Sequence, residues 1–62
     1  MAEHQYRYMR IVSDIEDTEL KKDDIVMVTR ETDYDNYVIY TDYRNNLHGR
    51  WISKEFLKPL IQ

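Results

Sequence analysis

Cysteine is absent from this 62-residue chain, and glycine and proline occur once each. Without cysteine there is neither a disulfide staple nor a thiolate metal site, which excludes the scaffolds of oxidised, secreted mini-proteins and fits a reducing cytoplasm. A lone glycine leaves no Gly-rich loop to cradle a phosphate. So little glycine and proline beside 13% aromatics is not the composition of a disordered chain. No apolar run approaches the roughly eighteen residues of a membrane-crossing helix, and the opening MAEHQYRYMR has no signal-like stretch. No membrane association is expected, and the expected location is cytoplasmic. There is no block of one charge sign either: nine Lys and Arg stand against twelve Asp and Glu, a net charge of -3, mixed along the chain. That balance disfavours sequence-independent nucleic-acid binding, whose affinity comes from phosphate neutralisation.

What is present is a chain long enough for one domain, residues 1–62, that buries about 60% of the surface its unfolded form exposes. Its richness in Asp, Asn, Lys, Ile and Tyr is what an AT-rich coding genome yields, as in a low-GC bacterium or one of its bacteriophages. Gln5–Val12 (QYRYMRIV) alternates and is rich in aromatic and β-branched residues, the pattern of a strand. Asp14–Asp24 is polar, too short and too irregular for a helix, and reads as a long loop pinned by Leu20. Ile25–Thr29 (IVMVT) has the length of a buried central strand. Glu31–Asn36 is turn chemistry, Tyr37–Tyr43 a further strand, and Asn45-Asn46 tolerates the left-handed backbone of a tight hairpin before the return strand Gly49–Ser53. Ser53 can cap a single helical turn through Phe56, and Leu57–Ile61 closes the chain with Pro59 restricting it to an edge. Five short strands in this length predict an all-β, five-stranded barrel with one 3-10 turn before the last strand.

The ending Trp51-Ile52-Ser53-Lys54-Glu55-Phe56-Leu57-Lys58-Pro59-Leu60 resembles the close of an SH3 domain, G-[aromatic]-I-P-S-N-Y-V-x-P-L. Glu16-Asp17-Thr18-Glu19-Leu20 is similar to the acidic RT loop of that family, and Lys22-Asp23-Asp24-Ile25-Val26 to its K-G-D-x-V segment. The resemblance implies an SH3-like barrel that binds other macromolecules. It departs from the proline-binding members, because Arg10 and Val12 stand where they carry ligand-stacking tyrosines. Tyr37 falls on their groove tryptophan, and Ser53 and Phe56 on their ligand-contacting proline and tyrosine. Recognition of PxxP ligands needs parallel aromatic ridges, so poor or no PxxP binding is expected.

In the phase of that fold Met9, Ile11, Leu20, Val26, Val28, Val38, Ile52, Leu57 and Leu60 point inward, leaving Ile25, Met27, Tyr37, Ile39 and Trp51 outside. Large apolar side chains clustered outside a tiny barrel either thicken a distorted core or form an interface. Tyr37, Ile39, Trp51 and Met27, with Arg50 as a charged rim, are the candidate partner-binding residues for a folded protein. The acidic loop Asp14, Glu16, Asp17 and Glu19 is a secondary candidate for pairing with basic residues, set against its reading as a solvated loop whose surface pairs are worth about 0–1 kcal/mol. Its spacing matches no EF-hand. His4 and His48 have no partner at catalytic or metal-ligand spacing and read as surface residues. No metal, no cofactor and no enzymatic activity is expected, since so small a barrel offers no deep pocket. The alternative function is nucleic-acid binding through Arg7, Arg10, Arg30, Arg44, Arg50, Lys54 and Lys58 beside Tyr43 and Trp51. A homodimer stays open.

Overall fold

The computed structural model describes residues 6–60. The expectations for His4, Gln5 and Ile61 lie outside the described residues. The chain forms β1 (Arg7–Ile11), β2 (Ile25–Glu31), β3 (Asp35–Thr41), β4 (Leu47–Ser53), a 3-10 turn (Lys54–Phe56) and β5 (Leu57–Pro59). The five antiparallel strands form one sheet in the order β4-β3-β2-β1-β5. All-β architecture, five strands and a single 3-10 turn are as the sequence predicts, but the sheet does not close. β4 and β5 are its two ends, so the architecture is an open curled sheet and not a sealed barrel.

Period-two alternation accounts for the core. Met9 and Ile11 on β1, Val26 and Val28 on β2, Val38 on β3, Ile52 on β4 and Leu57 on β5 all project to one face and are buried. Leu20, from the long β1–β2 loop, folds over this face, and Ile15 and Phe56 pack against its margin. Two assignments need correction. Leu60 is 46% exposed, because β5 ends at Pro59 and releases the chain before it can turn inward. Tyr40 takes a core position instead: in phase with Val38, it is buried while its hydroxyl accepts a 3.0 Å hydrogen bond from Arg50 Nε.

The turns use side-chain oxygens in place of glycine. In the β2–β3 turn Thr32 Oγ1 accepts the amides of Tyr34 and Asp35, which shortens the expected six-residue turn and lets β2 run to Glu31. At the β3–β4 hairpin Asn45 has φ 70°, the left-handed conformation expected there, and Asp42 Oδ1 accepts the amides of Arg44 and Asn46. In the β1–β2 loop Thr18 Oγ1 donates to Ile15 O and accepts the amide of Leu20, which places Leu20 over the core. Ser53 makes no side-chain cap; the 3-10 turn is anchored by Lys54 N donating to Tyr34 O at 2.9 Å.

Candidate functional site

The face opposite the core carries rows of side chains set by strand register. One row runs across four strands, since Tyr8 faces Met27, Met27 faces Ile39, and Ile39 faces Gly49. In the neighbouring row Arg30 faces Tyr37 and Tyr37 faces Trp51. The expected outward residues Met27, Tyr37, Ile39 and Trp51 therefore lie together, on the side predicted. Met27, Tyr37 and Ile39 are half-buried by one another and Trp51 is 49% exposed. Ile25 is exposed beside Arg10 on the same face.

The rings of Tyr37 and Trp51 meet edge to face, with centroids 5.2 Å apart and an interplanar angle of 64°. Gly49 makes this packing feasible: a Cβ there would collide with the Tyr37 hydroxyl and the end of its ring, so the lone glycine lets the tyrosine lie across β4. Tyr6, Met27, Thr29, Arg30, Tyr37, Ile39 and Trp51 line a shallow hollow of ≈ 580 Å³ on this face.

Arg50 is not part of the patch. It pairs with Val38 and lies in the inward phase of β4, where its guanidinium reaches the Tyr40 hydroxyl. The cation beside the aromatic pair is Arg30, and a β-bulge puts it there. Register slips between Val28 and Arg30, so Thr29 is the extra residue. In an uninterrupted strand Arg30 would share the inward phase of Val26 and Val28. The inserted residue turns it out to the Tyr37 side and keeps its charge out of the core.

The acidic residues do not act as one group. Asp14 Oδ1 accepts the Lys22 amide at 2.8 Å and so closes the base of the loop, Asp17 has φ 65° at its tip, and Glu16 is exposed. Glu19 instead reaches across to the hairpin, where its Oε2 lies 3.3 Å from His48 Nε2. The same ring nitrogen is 2.8 Å from Asp42 Oδ2, and the imidazole stacks on Tyr40 with centroids 5.4 Å apart and planes at 16°. Hydrogen bonding from His48, helped by the amides of Asn46 and Arg44, lowers the Asp42 carboxyl to a pKa of about 2. Sequence spacing alone could not place His48 beside Glu19; the only local signal is Asp42 six residues before His48, across a turn.

Much of the basic charge is already engaged. Arg7 and Lys54 both reach Glu31, at 3.4 and 2.8 Å, and Arg10 reaches Asp23 at 3.3 Å. Arg44 lies 5.4 Å from the centroid of the Tyr43 ring. Among the described residues no helix is long and apolar enough to cross a membrane. Comparison with known protein families, curated proteins and solved structures gives no match, so the functional reading rests on the chain's own residues.

Proposed function

We propose that this chain is a small non-enzymatic binding module of SH3-like arrangement that docks a folded protein through the outer face of its sheet. The observation that carries the reading is the Tyr37–Trp51 pair, joined to Met27 and Ile39 in one apolar surface that no other described element covers. Half-exposed Trp and Tyr packed against each other are the kind of rigid aromatic anchor that dominates interface energetics. Arg30, at the edge of the hollow, suits a partner that presents an apolar side chain with a carboxylate next to it.

Three features support the SH3-like arrangement. The strand order puts β1 between β2 and β5, the longest loop joins β1 to β2, and the one 3-10 turn lies directly before β5. In addition Asp23, which stands at the glycine of the K-G-D-x-V resemblance, has φ 76°, a conformation glycine adopts readily. The docking surface proposed is not the proline-ligand groove of that family.

The nucleic-acid alternative is weakened by the pairing of Arg7, Arg10 and Lys54 with carboxylates, which removes cations from the phosphate-binding inventory. The test is affinity capture from cell lysate with the parent chain and with Trp51→Ala in parallel. A protein retained by the parent and lost with the variant, while circular dichroism shows the variant folded, supports the reading. Equal capture by both, or capture of oligonucleotide in a salt-sensitive manner, overturns it.

A further inference from the structure

The β1–β2 loop and the β3–β4 hairpin meet at a single point, where three potential ligand atoms converge. His48 Nε2, Asp42 Oδ2 and Glu19 Oε2 belong to a group whose donor atoms all lie within 4.8 Å of one another. We propose that Glu19, Asp42 and His48 form a binding site for a divalent cation of the zinc class, with three protein ligands and the remaining coordination open to water.

The donor set selects the class of ion. One imidazole nitrogen and two carboxylate oxygens suit a borderline transition cation. A soft ion would want thiolate, and calcium would want six to eight oxygens. Two of the three donor spacings are close to what such an ion needs, and all three lie within 4.8 Å. Donors about 2.1 Å from a tetrahedral ion stand about 3.4 Å from each other. Nε2 and Glu19 Oε2 are already 3.3 Å apart. Nε2 and Asp42 Oδ2, at 2.8 Å, must open by about half an ångström to reach that spacing.

Two of the three ligands are held in place before any ion arrives. Asp42 Oδ1 is engaged by the amides of Arg44 and Asn46 at 2.8 and 2.9 Å, so Oδ2 is left facing the ring. The His48 ring is fixed by stacking on Tyr40, whose hydroxyl is itself held by Arg50. Such outer partners orient ligands at metal sites generally. Without an ion, a single Nε2–H stands between two acceptor-only carboxylates. It makes one short contact with Asp42, and the 3.3 Å to Glu19 is long for a charge-assisted hydrogen bond, usually about 2.7–2.9 Å. A cation that takes the place of the Nε2 proton, the neutral ring keeping its proton on Nδ1, binds all three ligand atoms at once, and in doing so clamps the loop of residues 13–24 onto the hairpin.

The experiment is calorimetric titration of the full chain with zinc chloride, with the ring nitrogens of both histidines followed by NMR. One equivalent should bind, with the Nε2 resonance of His48 shifting. Glu19→Gln and His48→Gln should each weaken binding by about tenfold or more, whereas His4→Gln should leave it unchanged. Glu19 is an exposed loop side chain, so its variant reads out the site even if His48→Gln perturbs the hairpin. No heat or ring shift up to millimolar zinc overturns the proposal. So does undiminished binding by Glu19→Gln, loss of binding in His4→Gln, or calcium binding at the same site as tightly as zinc.

Discussion

Asn36 is the only polar side chain buried among the described residues, at 2% exposure, and its Oδ1 has no hydrogen-bond partner there. A buried carbonyl left unbonded costs about 1–3 kcal/mol, so Asn36→Val, which removes it and keeps a β-favouring shape, should raise stability by about 1 kcal/mol. A lowered urea midpoint would mean that the amide makes a contact the apolar residue cannot replace. Val28 and Ile52 behave in the opposite way. Both are almost wholly enclosed, and truncating either to Ala should cost more than about 1 kcal/mol by chemical denaturation. Glu31 is a third case. The hydrogen bond from Lys54, then the charges of Lys54 and Arg7, hold its carboxyl below the ordinary 4.5. A depressed folded pKa contributes stability that is complete above the unfolded value and is lost as pH falls through the folded one. An NMR titration should therefore place the Glu31 midpoint below 4.5, and the stability difference between parent and Glu31→Gln should vanish once the pH is below that midpoint. The effect is modest, because all three side chains are substantially exposed.

At the scale of elements, the strands were legible because alternation is a local signal. The inward set from Met9 through Leu57 follows from period two, and so does the outward set of Met27, Tyr37, Ile39 and Trp51. The hairpin at Asn45 was legible from the conformational tolerance of asparagine. What was not legible depends on register between strands. Arg30 follows Val26 and Val28 in step, and only the bulge at Thr29 reverses its face; an arginine in a core phase was the available hint of an irregularity. Arg50 was placed beside Trp51 because it is adjacent in sequence, yet adjacent residues of a strand face opposite ways. The meeting of Glu19 with His48 needs the loop to fold over the hairpin, a long-range event with no local signature. The bulge yields a prediction of its own. Deleting Thr29, the extra residue, puts Arg30 directly after Val28 in the outward phase and keeps it opposite Tyr37, so the ladder becomes regular and stability should stay within about 1 kcal/mol of the parent. A loss of more than about 2 kcal/mol on that deletion would show that the bulge itself is needed for the packing of the strand.

For the molecule as a whole, one sheet face and one covering loop make up the core among the described residues, and the aromatic pair of the outer face lies at the surface. Trp51→Ala should accordingly leave stability within about 1 kcal/mol of the parent while weakening partner binding by about 2 kcal/mol. Cooperative unfolding of the variant at much lower denaturant would instead make Trp51 part of the core. The open sheet also has unlike margins. β5 is three residues long and ends in proline, which has no N–H to offer, whereas β4 presents seven residues without proline. A further strand can add at β4 but finds little to grip at β5. Two copies that meet β4 to β4 around a twofold axis use up the receptive margin of each, so growth by strand addition halts at a pair and does not run on into fibres.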